Sequence, residues 1–190
     1  MKVEADMYEG RYNHGVQIYG AYLWAFGGVN YSSLTSVERL HRVYHTWQNA
    51  PRMSFPKDSF TPTEHQDLIY LPAGSSPKTQ LEVFNPVTVA YRLLPLQLFS
   101  KNPGFMSFIV DDLLYFLDRK KQAGSWALES RNSGLTPLQV TVSDQVSLYV
   151  HSCTVKFGAS IYWLDRGVTL VKFNTKTLSV EVCEMAEIGN

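Results

Sequence analysis

Short apolar runs separated by turn-forming residues dominate the sequence. The runs are rich in Val, Ile, Leu, Tyr and Phe, and Gly, Pro, Asn, Asp and Ser lie between them. Unbroken apolar runs such as YLWAF (22–26) are typical of central strands buried on both faces, whereas alternating runs such as LSVEV (178–182) are typical of outer strands. This pattern predicts an all-β protein, and no shift in composition divides it, so residues 1–190 are expected to form one domain.

One segment, residues 33–47, has apolar residues at helical spacing. The residues that would share one face of a helix there are Leu34, Val37, Leu40, Val43 and Tyr44. It is the one helix candidate, although the same segment aligns with a predicted β-hairpin further along the chain.

The apolar runs recur at a nearly constant interval. Aligned on a tyrosine in each run, the units are separated by 48, 45 and 47 residues; the aligned tyrosines are Tyr22, Tyr70, Tyr115 and Tyr162. A second anchor repeats independently, because Glu38 and Glu82 are each followed at offsets of two, nine and thirteen by an apolar residue, an aromatic residue and a proline. In the fourth unit, Phe173 and Val180 take the first two of these positions.

A period of 45–50 residues with four strands is typical of the blade of a β-propeller, in which each twisted sheet covers the face of the next. The predicted blades span approximately 9–55, 56–103, 104–150 and 151–190. Three interpretations of the blade number stay open: a four-bladed ring, an arc of a larger propeller, and a propeller whose missing blades come from another chain. We favour completion by a second chain or a larger assembly, because an open arc would expose apolar faces.

The first of these repeated segments, within the predicted blade 9–55, resembles a kelch repeat. That family's pattern has an Arg and a His before the first strand, a Gly before an aromatic strand, a double glycine, a strand with Glu, and a Trp. The matching residues are Arg11, His14, Gly20, Tyr22, Gly27, Gly28, Glu38 and Trp47. The other units depart from the pattern, since the double glycine becomes Ala73-Gly74, Leu117-Asp118 and Leu164-Asp165.

The double glycine raises the alternative of a phosphate-binding loop. Such a loop leads into a helix and carries Lys-Ser/Thr or a further glycine, and the following Val29-Asn30-Tyr31 provides none of these. We therefore expect Gly27 and Gly28 to be structural, ending a strand where the backbone turns with positive φ and packs closely.

Composition narrows the classes of partner. Lys+Arg and Asp+Glu are 17 each, so the formal net charge of zero predicts no nucleic-acid partner and no anionic membrane surface. The sequence has no apolar run of membrane-spanning length, and its N-terminus does not resemble a signal peptide. Two cysteines, Cys153 and Cys183, are predicted to be reduced thiols. These features predict a cytoplasmic protein.

The sequence offers little chemistry. His41 and His45 have the spacing of metal ligands on a helix, but no HExxH pattern or nearby carboxylate accompanies them, so no metal site is predicted. Asp118-Arg119 and Asp165-Arg166 repeat in two units and are interpreted as structural turn pairs. No catalytic residue and no cofactor are predicted.

The kelch resemblance implies a protein-interaction platform that presents inter-blade loops to a partner, as a recognition or adaptor subunit. The residues predicted to contact that partner are Arg11, Tyr12, His14, Tyr31, Arg119 and Arg166. Two alternatives stay open: a structural subunit of a large complex, and a propeller enzyme with its site in the central channel.

Overall fold

A computed structural model of the protein describes residues 5–72, 80–95, 105–118, 123–128, 136–146, 154–165 and 169–183. The chain divides into two compact units, residues 1–104 and 105–190, which are described separately here. Each unit holds two sheets of the blade type, and the described residues contain no helix. The all-β prediction is therefore confirmed.

The first unit begins with sheet 1, an antiparallel sheet of order β1-β2-β5-β6 with a two-stranded insertion between β2 and β5. Its strands are β1 (Gly15–Tyr19), β2 (Tyr22–Phe26), β3 (Val29–Asn30), β4 (Ser32–Ser33), β5 (Val37–His41) and β6 (Thr46–Ala50). Sheet 2 follows with the order β10-β9-β8-β7. Its strands are β7 (Thr63–His65), β8 (Leu68–Leu71), β9 (Gln80–Asn85) and β10 (Ala90–Pro95).

Residues 33–47 form strands, so the helix candidate was wrong. β5 and β6 pair as a hairpin in which Leu40 lies opposite Trp47. Of the apolar residues that suggested a helix, Val37 and Leu40 lie on β5, Leu34 precedes β5 and Val43 lies in the turn after it, so their helix-like spacing comes from three different local structures.

The core of the first unit lies between sheets 1 and 2. Trp24 and Phe26 of β2 are at most 1% exposed and pack edge-on against the ring of Phe84 in β9, with ring centroids 4.9 and 5.6 Å apart. The other buried members of this core are Val37, Met53, Phe60, Ile69 and Leu71. Burying aromatic faces of this size is the main source of stability for two such small sheets.

The second unit contains sheet 3, with the order β11-β12-β13-β14, and sheet 4, with the order β15-β19-β18-β17-β16. The strands of sheet 3 are β11 (Phe105–Val110), β12 (Leu113–Asp118), β13 (Ala123–Ala127) and β14 (Thr136–Leu138). Those of sheet 4 are β15 (Thr141–Val142), β16 (Val155–Phe157), β17 (Ser160–Asp165), β18 (Thr169–Asn174) and β19 (Ser179–Val182). Four strands of sheet 4 are antiparallel, and β15 adds a fifth, parallel to β19.

The core of the second unit joins sheets 3 and 4. Phe108 and Tyr115 of sheet 3 surround Phe173 of sheet 4, with ring centroids 5.2 and 5.8 Å from it. The remaining buried members are Val110, Leu117, Ala123, Val146, Ile161, Trp163, Val171 and Val180. Both units therefore use one construction, in which two sheets bury an aromatic-rich face against each other.

A two-residue turn joins β1 to β2, β7 to β8, β11 to β12 and β16 to β17, which is one hairpin in each of sheets 1 to 4. These turns set the strand register. Gln66-Asp67 and Asp111-Asp112 have positive φ at both residues, as type I′ turns require. Sheets 1 and 4 use Gly20-Ala21 and Gly158-Ala159 instead, and each glycine has a φ near 60°. These turns show that Tyr22 is equivalent to Leu68, Leu113 and Ser160, the first residues after each turn.

The alignment of Tyr22 with the other three tyrosines was therefore wrong by two residues. Tyr70, Tyr115 and Tyr162 are equivalent to Trp24, each being the third residue after its turn. A shift of two residues leaves every side chain on the same face of a strand, so the apolar pattern could not detect it. The second anchor was correct, since Leu40–Trp47, Phe84–Tyr91 and Phe173–Val180 are cross-strand pairs.

Candidate partner-binding surface

Arg11 lies inside the first unit, and its side chain is 0% exposed. Its guanidinium donates to Glu38 Oε1 at 2.6 Å and to the carbonyl oxygens of Gly27 and Ser36 at 2.8 and 2.9 Å. Arg11 thus ties the segment before β1 to both ends of the β2–β5 connection. The prediction that it contacts a partner needs correction, because these groups occupy the guanidinium and no part of the side chain reaches solvent.

Glu38 completes this buried charge network. Its carboxylate is 1% exposed, and it also accepts hydrogen bonds from the backbone amides of Tyr8 and Glu9 at 2.8 and 3.1 Å. A buried carboxylate is tolerated when it is paired and its lone pairs are satisfied, as they are here. Glu38 therefore fixes the path of the chain as it enters sheet 1.

Gly27 and Gly28 follow β2 with φ of 58° and 96°, where a residue with Cβ would be strained. A Cβ at Gly27 would lie 2.2 Å from the carbonyl oxygen of Lys57, and one at Gly28 would lie 2.8 Å from that of Tyr12. Three backbone segments thus meet at the double glycine, which leaves no room for side chains. The geometry is that of close backbone packing.

Tyr31 occupies the tip of the β3–β4 hairpin, where Val29 pairs with Ser33 and Asn30 with Ser32. Its side chain is 104% exposed, and its φ of 60° is a left-handed conformation that is uncommon for a tyrosine. Because the ring of Tyr31 stays fully exposed at the hairpin tip, it adds no hydrophobic stabilisation to the folded chain. The position is therefore available for contact with another molecule.

Tyr12 lies beside this hairpin. Its amide donates to Val29 O at 3.2 Å and its carbonyl accepts from the Val29 amide at 2.8 Å, which forms an isolated antiparallel bridge. The Tyr12 side chain is 62% exposed. The bridge thus brings two exposed tyrosines, Tyr12 and Tyr31, onto neighbouring segments, although they are 19 positions apart in sequence.

His14 lies half-buried under the double glycine rather than on the surface. A Cβ added at Gly28 would lie only 2.8 Å from the Cβ of His14, so the two residues are in close contact. The Nδ1 atom of His14 is buried without a hydrogen-bond partner. Burial, followed by the charge of Arg11, lowers the pKa of the imidazole. The lowered pKa favours the neutral imidazole, and the side chain packs close to Gly28.

The other residues of the blade motif serve sheet 1 itself. Trp47 donates its indole N–H to the carbonyl of Ala5 at 2.7 Å, which holds the entering chain against β6. Tyr22 carries the guanidinium of Arg39 over its ring, 4.2 Å from the centroid. Gly20 takes the positive φ of the first hairpin turn.

Arg119 and Arg166 lie outside the described residues. The aspartates before them, Asp118 and Asp165, are the last residues of β12 and β17. Asp111-Asp112 form the turn between β11 and β12. The prediction that Arg119 and Arg166 contact a partner stays a prediction.

His41 and His45 lie at the two ends of the turn between β5 and β6. His41 ends β5 and accepts hydrogen bonds at Nδ1 from the amides of Val43 and Tyr44, at 3.2 and 3.3 Å. This arrangement caps the turn into β6. Among the described residues, no three His, Cys, Asp or Glu side chains gather as a metal site would require.

A second buried ion pair, which was not predicted, joins Lys57 to Glu82. Lys57 and Glu82 are 1% and 0% exposed, and Nζ lies 3.9 Å from Oε2. Met53 follows Met7 by 46 positions, and Lys57 follows Arg11 by the same 46 positions. This constant offset in the sequence already indicated that Lys57 is equivalent to Arg11. It was missed because a lysine at this position does not fit the kelch pattern.

Hydrogen bonds confirm that the two pairs are equivalent. Glu82 accepts the Ser54 amide at 2.6 Å, just as Glu38 accepts the Tyr8 amide, and Ser54 is 46 positions after Tyr8. Tyr91 takes the place of Trp47, donating its hydroxyl to the Pro51 carbonyl at 2.9 Å. The kelch framework of sheet 1 is thus rebuilt in sheet 2 with different residues.

Comparisons with known proteins agree with this architecture. Residues 10–54 match the kelch motif. The fold is similar to the solved structure of YjhT, with a TM-score of 0.73 and 11% identity, over 100% of this chain and 70% of that one. No curated protein matches the sequence.

These findings define the class of protein. The chain has a β-propeller fold with four blade sheets, and residues 10–54 of it match the kelch motif. Kelch propellers commonly act as scaffolds for protein interactions. In the part of the chain that the structure describes, no helix has the length and hydropathy to cross a membrane.

Proposed function

We propose that this propeller is a protein-interaction platform whose contact surface in the first unit is built around Tyr12 and Tyr31. The observation that carries the proposal is the tip of the β3–β4 hairpin, where a tyrosine in a left-handed conformation is 104% exposed. We define the partner surface as Tyr12, Asn13, Tyr31, Ser32 and Ser33, all of which are exposed.

The chemistry of the partner surface suits recognition of another protein. It is uncharged and combines two tyrosines with Asn and Ser side chains. Tyrosine offers a large amphipathic contact area with little loss of side-chain entropy, and small polar residues supply adaptable hydrogen bonds. Exposed tyrosines at protein interfaces often carry a large share of the binding energy. The chain is then a recognition or adaptor subunit, and its cytoplasmic location and completion by a second chain stay predictions.

A photo-crosslinking experiment tests this function. The photoreactive residue p-benzoylphenylalanine replaces Tyr31 in one variant and Tyr44 in another, and adducts formed in cells are identified by mass spectrometry. Tyr44 is a matched control because it is 73% exposed on the turn between β5 and β6. We expect one dominant protein adduct at position 31 that is absent at position 44.

Binding of that protein, once purified, is then measured for Tyr31→Ala, Tyr12→Ala and Tyr44→Ala. Loss of a buried aromatic contact weakens binding by about tenfold or more. We expect this for the first two variants and unchanged affinity for Tyr44→Ala. Equal affinity of Tyr31→Ala and the parent chain would contradict the proposal.

A further inference from the structure

The residues between sheets 1 and 2 lie directly against the loop that carries the partner surface. We define the clamp as Met53–Ser59. The Met53 amide donates to the Thr35 carbonyl at 2.9 Å and the Lys57 amide to the Leu34 carbonyl at 3.1 Å. In return, the Gly28 amide donates to the Lys57 carbonyl at 2.8 Å. The β2–β5 connection is therefore hydrogen-bonded to the clamp on both of its sides.

The side chain of Lys57 turns away from this loop toward sheet 2. Its ammonium lies 3.9 Å from Oε2 of Glu82, and both side chains are almost completely buried. The same carboxylate accepts the Ser54 amide through Oε1 at 2.6 Å. Glu82 thus interacts with the clamp at two points, and the clamp transfers the position of β9 to the double glycine.

The end of the clamp reaches both segments of the partner surface. Asp58 accepts the hydroxyls of Ser33 at 2.5 Å and Ser59 at 3.0 Å. The Ser59 amide donates to the carbonyl of Asn13, the neighbour of Tyr12, at 2.8 Å. The clamp consequently contacts the hairpin of Tyr31 and the segment of Tyr12 at once.

We propose that Lys57 is the positioning residue of the partner surface: its buried amino group beside Glu82 holds the clamp closed, and above pH 8 the clamp opens with uptake of a proton. This inference rests on the proposed function for its biological meaning, but the locking itself does not require a partner. It makes the partner surface of sheet 1 dependent on a buried charge in sheet 2.

The electrostatics of the clamp follow from burial. Desolvation lowers the pKa of Lys57 from 10.5 to about 8, and the attraction of Glu82 opposes the shift. Tyr91 on β10 also faces Glu82, and burial together with that carboxylate raises the pKa of its phenol. Asp58, next along the chain, is the carboxylate of the clamp itself, and it accepts the hydroxyls of Ser33 and Ser59. Lys57 is therefore the group of this set that titrates just above neutral pH.

The sign of the pH dependence follows by linkage. An opened clamp returns Lys57 to water, where its pKa is 10.5. Between pH 8 and 10.5 the opened form holds one more proton than the closed form, so the closed form is favoured by about tenfold per pH unit in this window. Below pH 8 lysine is charged in both forms, and opening becomes independent of pH.

Amide hydrogen exchange of the whole protein measures this opening. The reporter is the Gly28 amide, and its protection factor is corrected for the intrinsic pH dependence of exchange. In the parent chain we expect protection to rise about tenfold per unit above pH 8, while amides of the second unit show no such slope.

Two variants sharpen the test. Lys57→Arg supplies a cation that stays charged, as Arg11 does at the equivalent position, so we expect strong protection of Gly28 without the slope. Lys57→Met removes the amino group that lies 3.9 Å from Glu82, and we expect Gly28 protection to fall by tenfold or more at pH 7, without the slope. Lys172→Arg, in the exposed pair with Glu181, is the matched control and should change nothing.

A flat Gly28 profile in the parent chain, or the same slope in Lys57→Arg, would overturn the inference. Because the parent profile needs no substitution, a variant that fails to fold does not remove the test. Crosslinking at position 31 can succeed while this profile is flat, and it can fail while the profile has the expected slope. The two proposals are therefore separable.

Discussion

Sheets 1 and 2 place a buried ion pair at the same position and build it with different cations. In sheet 1 the guanidinium of Arg11 meets Glu38 at 2.6 Å and two backbone carbonyls. In sheet 2 the ammonium of Lys57 lies 3.9 Å from Glu82, whose Oε2 is buried without a hydrogen bond. A planar fork with several donors satisfies a buried carboxylate that a point charge leaves partly unsatisfied.

The second unit extends the comparison. The residues of sheets 3 and 4 equivalent to the two glutamates are Gly124 and Val171, which lie opposite Phe116 and Trp163. Val171 is 0% exposed and packs in the apolar core. A blade sheet is thus stable with no charge at this position, as expected if buried ion pairs specify geometry more than they add stability. What the pairs add in the first unit is a fixed path for the segments that lead into each sheet.

Arg11→Met should have the largest effect, because it leaves Glu38 buried without its cation. Removal of one partner from a buried pair costs about 3–5 kcal/mol. Urea unfolding followed by tryptophan fluorescence measures the loss, with Arg52→Met as the control at an exposed arginine. Equal stability of the two variants would mean that the sheet 1 pair contributes nothing.

Lys57→Met should cost less, about 2–4 kcal/mol, because the lysine pair starts from a poorer geometry. The double variant Lys57→Met/Glu82→Gln removes both charges and should recover most of that loss. The same urea titration yields both values. If the double variant is less stable than Lys57→Met, the charge of Glu82 is not the source of the cost.

The pH dependence of unfolding should separate the two pairs. The pKa of Lys57 is lowered to about 8 in the folded chain, so the unfolded chain holds an extra proton between pH 8 and 10.5. Stability should therefore rise through this window by about 3 kcal/mol at most, relative to Lys57→Arg at each pH. Coincident curves for the two proteins would contradict the lowered pKa.

Tyr91→Phe should have the smallest effect of the four. It removes the hydroxyl that donates to the Pro51 carbonyl and keeps the ring packed on Phe84. The expected cost is about 1 kcal/mol, the net value of one hydrogen bond. Thermal unfolding against Tyr44→Phe, at an exposed tyrosine, isolates this value; a cost above that of Lys57→Met would rank the hydrogen bond above the ion pair.

Much of the fold was predictable because strands and repeats leave periodic signals. The cross-strand pairs of Leu40, Phe84 and Phe173 were correctly aligned, because each repeat keeps the same seven-residue spacing between the two members of the pair. The alignment of Tyr22 with Tyr70 failed, because a two-residue shift keeps the same faces apolar and only the hairpin turns distinguish the registers. The candidate site was harder to predict from the sequence. Arg11 and Tyr31 were predicted to share one surface, but Arg11 is buried and Tyr31 is exposed.

The amino-acid sequence by itself determined the strand pattern, the repeat of about 46 residues and the kelch character of residues 10–54. These are local properties, set by side-chain alternation, turn chemistry and spacing. Tertiary structure alone decided that Arg11 is buried, that Tyr31 is exposed, and that the ammonium of Lys57 lies 3.9 Å from Glu82. Burial and pairing depend on which distant segments pack together, and no periodicity along a single chain records those contacts.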